Sequence, residues 1–98
     1  MTRDRIIQVL KEAEGELRAL GVSRAALFGS AARGDQRPDS DIDIMVELSP
    51  DADISLFDYV GIVQYLEDLF PQRVDVANRA ALKPLVRPQA ERDALYAF

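Results

Sequence analysis

Asp41-Ile42-Asp43-Ile44-Met45-Val46-Glu47 opens by alternating acidic and apolar residues, and it decides how the rest of the chain is read. A period of two marks a strand with Ile42, Ile44 and Val46 on one face and Asp41, Asp43, Met45 and Glu47 on the other. Aspartate is depleted in strands. Two on one face stand about 6.5–7 Å apart along the backbone. When both ionise they repel, and one pKa rises unless a cation compensates. A divalent metal supplies that compensation, and magnesium accepts one or two carboxylates together with phosphate oxygens. A strand aspartate is ordinarily only solvated. Here the local rule is broken twice in three residues, and such breaks tend to mark function.

Upstream, Val22 to Phe28 reads as a second strand, which runs into Gly29-Ser30. Glycine allows a sharp turn and a close backbone approach to a ligand. The Ser30 hydroxyl and the free N–H groups of the next turn suit a phosphate. Taken alone, the pair is equally an ordinary strand-to-helix turn with a serine cap. Ala31-Ala32-Arg33 is a short helical turn, and residues 34–40 form a loop. Downstream, Arg73-Val74-Asp75-Val76-Ala77 is a third short strand with Asp75 on the face opposite the two valines. If this strand neighbours the first, three carboxylates converge, the composition of a two-metal site for in-line displacement at phosphorus.

The remaining segments are helical. Ile6, Leu10, Ala13, Leu17 and Leu20 line one face of a helix over Arg3 to Leu20. Ser55-Leu56-Phe57-Asp58 has the form of a capping box. In the helix it opens, either Phe57, Val60 and Val63 or Tyr59 and Ile62 join Leu66 and Phe70 on the apolar face, and Pro71 ends it. Phe57, Tyr59, Tyr65 and Phe70 are expected in the core. Ala80 to Tyr96 reads as a last helix with Pro84 in its first turn and Pro88 as a disturbance. Glu47, Asp35 and Asp39, with Arg87 and Arg92, read as solvated. The expected architecture is α/β (α+β): a small mixed sheet with helices packed mainly on one face.

Composition narrows the chemistry. The 98 residues, 48% hydrophobic and 30% charged, suit one globular domain over 1–98. Cysteine and histidine are both absent, which excludes thiol nucleophiles, Ser-His catalysis and zinc held by sulfur or imidazole. Oxygen ligands for a hard cation remain. The net charge of −5 does not suit direct nucleic-acid binding, which leaves a basic footprint. No apolar run approaches the ~20 residues that span a bilayer, and no export signal opens the chain, so a cytoplasmic location is expected.

Phe28-Gly29-Ser30-Ala31-Ala32-Arg33-Gly34, followed by Arg37-Pro38-Asp39-Ser40-Asp41-Ile42-Asp43-Ile44-Met45-Val46, resembles the minimal nucleotidyltransferases (MNT domains) of the polymerase-β-like superfamily. Arg73-Val74-Asp75-Val76 resembles that family's third-carboxylate strand, and the resemblance extends over nearly the whole chain. It implies the nucleotidyltransferase fold and transfer of AMP from ATP to an acceptor hydroxyl, with release of pyrophosphate. By that resemblance Asp41 and Asp43 hold two magnesium ions with the triphosphate. Asp75 helps bind the catalytic metal and activates the acceptor. Gly29 and Ser30 grip the β- and γ-phosphates, and Arg33 stands beside them, either on phosphate or paired with an aspartate. The family's usual partner is a HEPN-domain RNase toxin, silenced by AMPylation of a tyrosine. Two other readings compete: an antitoxin that neutralises its partner by steric contact alone, and a transferase acting on a small acceptor. The intact carboxylate set favours catalysis over steric neutralisation, and the short chain favours a protein acceptor.

Overall fold

The computed structural model describes residues 2–29, 32 and 41–98. Ser30, Arg33, Asp35, Asp39 and Ser40 lie outside the described residues, as do most of the turn and all of the loop expected to carry them.

The N-terminal stretch forms two helices rather than one. α1 (Arg3–Glu12) starts on Thr2, whose hydroxyl oxygen accepts a hydrogen bond from the Arg5 N–H. α2 (Glu14–Ala19) follows Ala13, whose backbone leaves the helical range at φ −90°, ψ 2°. The apolar face continues across the break, with Ile6, Leu10, Ala13 and Leu17 buried. Gly21, at φ +104°, ends the segment in a conformation that favours glycine.

β1 (Val22–Phe28) and β2 (Ile42–Leu48) pair antiparallel, with Leu27 opposite Ile44 and Phe28 opposite Asp43. α3 (Leu56–Asp68) then carries the chain to β3 (Val74–Asn78), which lies parallel to β2. The capping box at the start of α3 is present. Ser55 Oγ accepts from the Asp58 N–H at 3.1 Å, and Asp58 Oδ2 accepts from the Ser55 N–H at 3.0 Å. β4 (Leu95–Tyr96) adds antiparallel to the outer edge of β1, giving the sheet order β3-β2-β1-β4. Ala25, Leu27, Ile42, Ile44, Val46 and Val74 turn one face of this sheet onto Ile6, Leu10, Leu17, Ile62 and Leu66 of the three helices. Burial of each large aliphatic side chain there contributes about 1.5–3 kcal/mol.

α3 buries the Tyr59–Ile62–Leu66 stripe, and Phe70 beyond it is also buried. Phe57 is 87% exposed, contrary to the expectation that it joins the core. It lies five positions before Ile62, about 140° around the helix.

The C-terminal segment departs furthest from expectation. In place of one helix over 80–96 there is a 3₁₀ turn (Arg79–Ala81), a short helix α4 (Arg87–Asp93) and β4. Pro88, not Pro84, occupies the first turn of the helix, where a missing N–H costs nothing. Far from disturbing α4, it starts it. β4 then pairs Tyr96 with Ala26, and the Ala97 N–H donates to the Ala25 carbonyl at 2.9 Å. This segment covers part of the second sheet face, where Ala26, Met45 and Ala90 are buried apart from the main core. Among the described residues, no helix is long and apolar enough to cross a membrane.

Candidate active site

The register of the parallel pair brings the acidic strands together. Asp43 of β2 stands directly beside Asp75 of β3, and neighbouring strands lie about 4.8 Å apart. Asp41 immediately precedes β2, two residues before Asp43 and on the same face. The Ile42 N–H donates to the Arg73 carbonyl at 2.9 Å, fixing where this pairing begins. The three carboxylates expected to converge therefore share one edge of the sheet, where β1 ends and β2 and β3 begin.

Gly29 closes that edge from the β1 side. It adopts φ +70°, and a Cβ built on it would stand 2.6 Å from Asp43 Oδ2. The sequence marks Gly29 as a point of close backbone approach. The group approached here is the Asp43 carboxylate, which an added Cβ would press aside.

Arg73 is a member of this edge that the sequence reading did not single out. Its Nε lies 3.9 Å from Asp41 Oδ2 and 3.7 Å from Asp75 Oδ1. Its side chain is 77% exposed, and pairs this loose and this wet contribute about 0–1 kcal/mol. The signal was available: Arg73 falls two residues before Asp75, and period two puts both on one face.

A guanidinium drawn between two carboxylates shows that a positive charge is accommodated at this place. The donors are all hard oxygens, which suits magnesium. Among the described residues, no three acidic or other metal-ligating side chains form a metal-holding cluster by themselves.

Further along the same face, Glu47 is a hub rather than the solvated residue the sequence suggested. Its carboxylate accepts hydrogen bonds from the Tyr96 hydroxyl at 3.0 Å and from Arg79 Nη1 at 3.4 Å, and Arg24 Nη1 stands at 3.9 Å. The Arg24 guanidinium lies over the Tyr96 ring, 3.8 Å from its centroid. Arg79 Nη2 reaches Glu91 Oε1 at 2.8 Å, and Arg87, also expected to be solvated, reaches the same oxygen at 2.9 Å. The network fastens α4 to the sheet. Burial, then the bond to Glu47, raises the Tyr96 pKa above that of an ordinary phenol. The hydrogen bond from Arg87 is the leading cause that lowers the Glu91 pKa.

A four-stranded mixed sheet with acidic residues at the start of two parallel strands and a glycine turn against them defines a phosphoryl-handling α/β domain. The family model of the nucleotidyltransferase domain matches residues 4–97, and the chain belongs to this family. It is 33% identical over 97 residues to the protein adenylyltransferase MntA of Thermococcus cleftensis, covering 98% of this chain and 96% of that one. A solved structure provisionally described as a minimal nucleotidyltransferase superposes with a TM-score of 0.78 at 32% identity, covering 97% of this chain and 95% of that chain. The MNT antitoxin fold, solved in complex with a tri-AMPylated HEPN toxin of Shewanella oneidensis, is also similar. Its TM-score is 0.64 at 18% identity, over 94% of this chain and 71% of that chain. The expectation of a minimal nucleotidyltransferase, an enzyme of mixed α/β fold, is borne out.

Proposed function

We propose that this chain is an antitoxin that transfers AMP from ATP to a hydroxyl of a HEPN-domain toxin, with tyrosine as the acceptor. The observation that carries the reading is the register pairing of Asp43 with Asp75, with Asp41 and Gly29 at the same edge. The adenylyltransferase relative and the fold shared with a HEPN-bound antitoxin support the donor and the partner. In this reading Asp41 and Asp43 would hold two magnesium ions with the triphosphate, and Asp75 would help to hold the catalytic one. Gly29 and Ser30 receive the β- and γ-phosphates, and Arg33 adds positive charge beside them. Bound magnesium would neutralise the triphosphate and ease ionisation of the acceptor hydroxyl.

The chain's own residues do the rest. Gly29, lacking a side chain, leaves Asp43 its place at the edge, and Asp75 takes the proton of the acceptor. The acceptor oxygen bonds to the α-phosphorus as the bond to the bridging oxygen breaks, and pyrophosphate leaves. A tyrosine hydroxyl, with an ordinary pKa of about 10, needs such a base. General-base assistance of this kind contributes about 10²–10⁴-fold.

The test is to incubate the chain with its partner toxin, magnesium and ATP and to measure the partner's intact mass. The expected result is a gain of one or more AMP masses, lost with the Asp41→Asn/Asp43→Asn double variant. An unchanged mass, with the toxin still silenced by the double variant, overturns transfer and leaves steric neutralisation.

A further inference from the structure

β3 is the last strand on its side of the sheet, and its outer edge is open. The Arg73 carbonyl points inward, accepting from the Ile42 N–H of β2. Backbone groups alternate sides along a strand, so those of Asp75 also face β2, while those of Val74 and Val76 face outward. Against this edge lies a hollow of about 550 Å³, walled by β3, by Arg73 and by the end of α3 with Glu67 and Asp68. We propose that the acceptor tyrosine reaches Asp75 on an extended segment that pairs with the open edge of β3 and carries lysine or arginine on either side of the tyrosine. The proposal rests on the transferase reading above and names how that site takes its acceptor.

Three observations carry it. The first is the edge itself. An open strand edge is a template for pairing, and proteins ordinarily blunt it with lysine, proline or a bulge. β3 holds neither lysine nor proline, and its pairing with β2 runs without a register shift. Main-chain pairing to such an edge is a recurrent way of binding an extended peptide. The second is position. A residue directly opposite Asp75 in an added strand shares its sheet face and stands about 4.8 Å away. Asp43 stands beside Asp75 on the other side, so the hydroxyl arrives at the carboxylate edge. The third is charge. The residues before and after the tyrosine turn to the opposite face, where Val74 and Val76 pack with α3. There Glu67 and Asp68 wall the hollow. α3 contains no lysine or arginine, and Asp68 accepts from Gln64 Nε2, a neutral donor, at 2.9 Å. Cations on the incoming segment complement this wall. Arg73, which also walls the hollow, lies on the carboxylate face beside Asp75. A second copy of the chain fits the edge poorly: paired through β3, it would set acidic side chains against their own kind.

The test uses the full chain and a blocked heptapeptide with a central tyrosine between two lysines, its other residues threonine and valine. Binding is followed by calorimetry without nucleotide, and AMP transfer to the peptide by mass with ATP and magnesium. The lysine-flanked peptide is expected to be labelled. It is also expected to bind on the order of tenfold more tightly than a glutamate-flanked one, the scale of two exposed ion pairs gained. Glu67→Gln/Asp68→Asn is expected to erase that preference. Val76→Pro removes an N–H that faces the open edge, a place where strands tolerate proline, and is expected to abolish binding. Methylating the peptide amides that would meet β3 is expected to do the same without touching the chain. Equal binding of the two peptides, or binding indifferent to both Val76→Pro and amide methylation, overturns the inference. A chain that sediments as a dimer until Val76→Pro is made gives the edge to a second copy and also overturns it. If the partner toxin is labelled while the peptide neither binds nor is labelled, the inference falls and the transferase reading stands. If the peptide binds as expected but neither it nor the toxin is labelled, the transferase reading falls and takes the acceptor role with it.

Discussion

Replacing Gly29 with alanine perturbs the candidate site through one added methyl group. Two effects combine. At φ +70° an L-residue is strained by about 1–2 kcal/mol. The new Cβ would also stand 2.6 Å from Asp43 Oδ2. Ordinary contact begins near 3.4 Å, so the carboxylate has to retreat by most of an ångström. Because a side chain yields more cheaply than backbone, the loss of stability should stay near the strain alone. For a domain of this size each kcal/mol lowers Tm by about 4–8 °C. Function should suffer more, since a misplacement of about 1 Å at a reacting centre costs on the order of 10²-fold. Gly61→Ala is the control. It lies within α3 with nothing within 4 Å of its added Cβ, and it should gain about 0.5–1 kcal/mol. Thermal unfolding and AMP transfer to the partner, measured on both variants, separate the two effects. A Gly29→Ala chain with native Tm and native transfer would refute the packing of this turn against Asp43.

Three further outcomes are expected. Ser55→Ala removes one half of the capping box on α3 and should cost about 1 kcal/mol in denaturant unfolding, with m unchanged. The raised Tyr96 pKa contributes stability that is fully present below the ordinary phenol value of about 10 and is lost as pH rises through the folded value. Tyr96→Phe should therefore flatten the alkaline arm of the stability–pH profile, read by urea titration at each pH. Arg73→Ala removes the cation between Asp41 and Asp75. In a nucleotide-free metal titration it should tighten magnesium binding a few-fold, on the order of what a loose exposed ion pair contributes. Weaker binding would assign Arg73 to holding the carboxylates in place rather than competing for them.

Much of this was written in the local pattern of the sequence. The alternation from Asp41 to Glu47 gave β2 and both its faces, because strand side chains alternate whatever packs on them. Asp75 was readable by the same rule, and the parallel register confirms its place beside Asp43. The capping box at Ser55 is a short-range hydrogen-bond pattern and was visible as such.

What failed depended on contacts distant in sequence. Nothing local to Glu47 reveals that Tyr96, 49 residues on, donates to it. The strand at Leu95–Tyr96 is two residues long and exists because β1 has an edge to cover, so helical propensity over 80–96 misled. Phe57 fitted one helical stripe as well as Tyr59 fitted another, and only the sheet beneath chose between them. Arg73 is readable beside Asp75 by period two, but its approach to Asp41 depends on the parallel pairing of β2 and β3.

The most direct test of the central claim, that Asp43 and Asp75 form one transfer site across two strands, uses ATP labelled at the α-phosphorus. Label incorporated into the partner toxin is followed for the unsubstituted chain, Asp43→Asn and Asp75→Asn. The account predicts rapid labelling by the first, a fall of at least about 10²-fold for Asp75→Asn, the lower bound for losing a positioned acid–base group, and loss of labelling for Asp43→Asn, which removes a carboxylate that would hold magnesium. Native-rate labelling by a folded Asp75→Asn chain would contradict it.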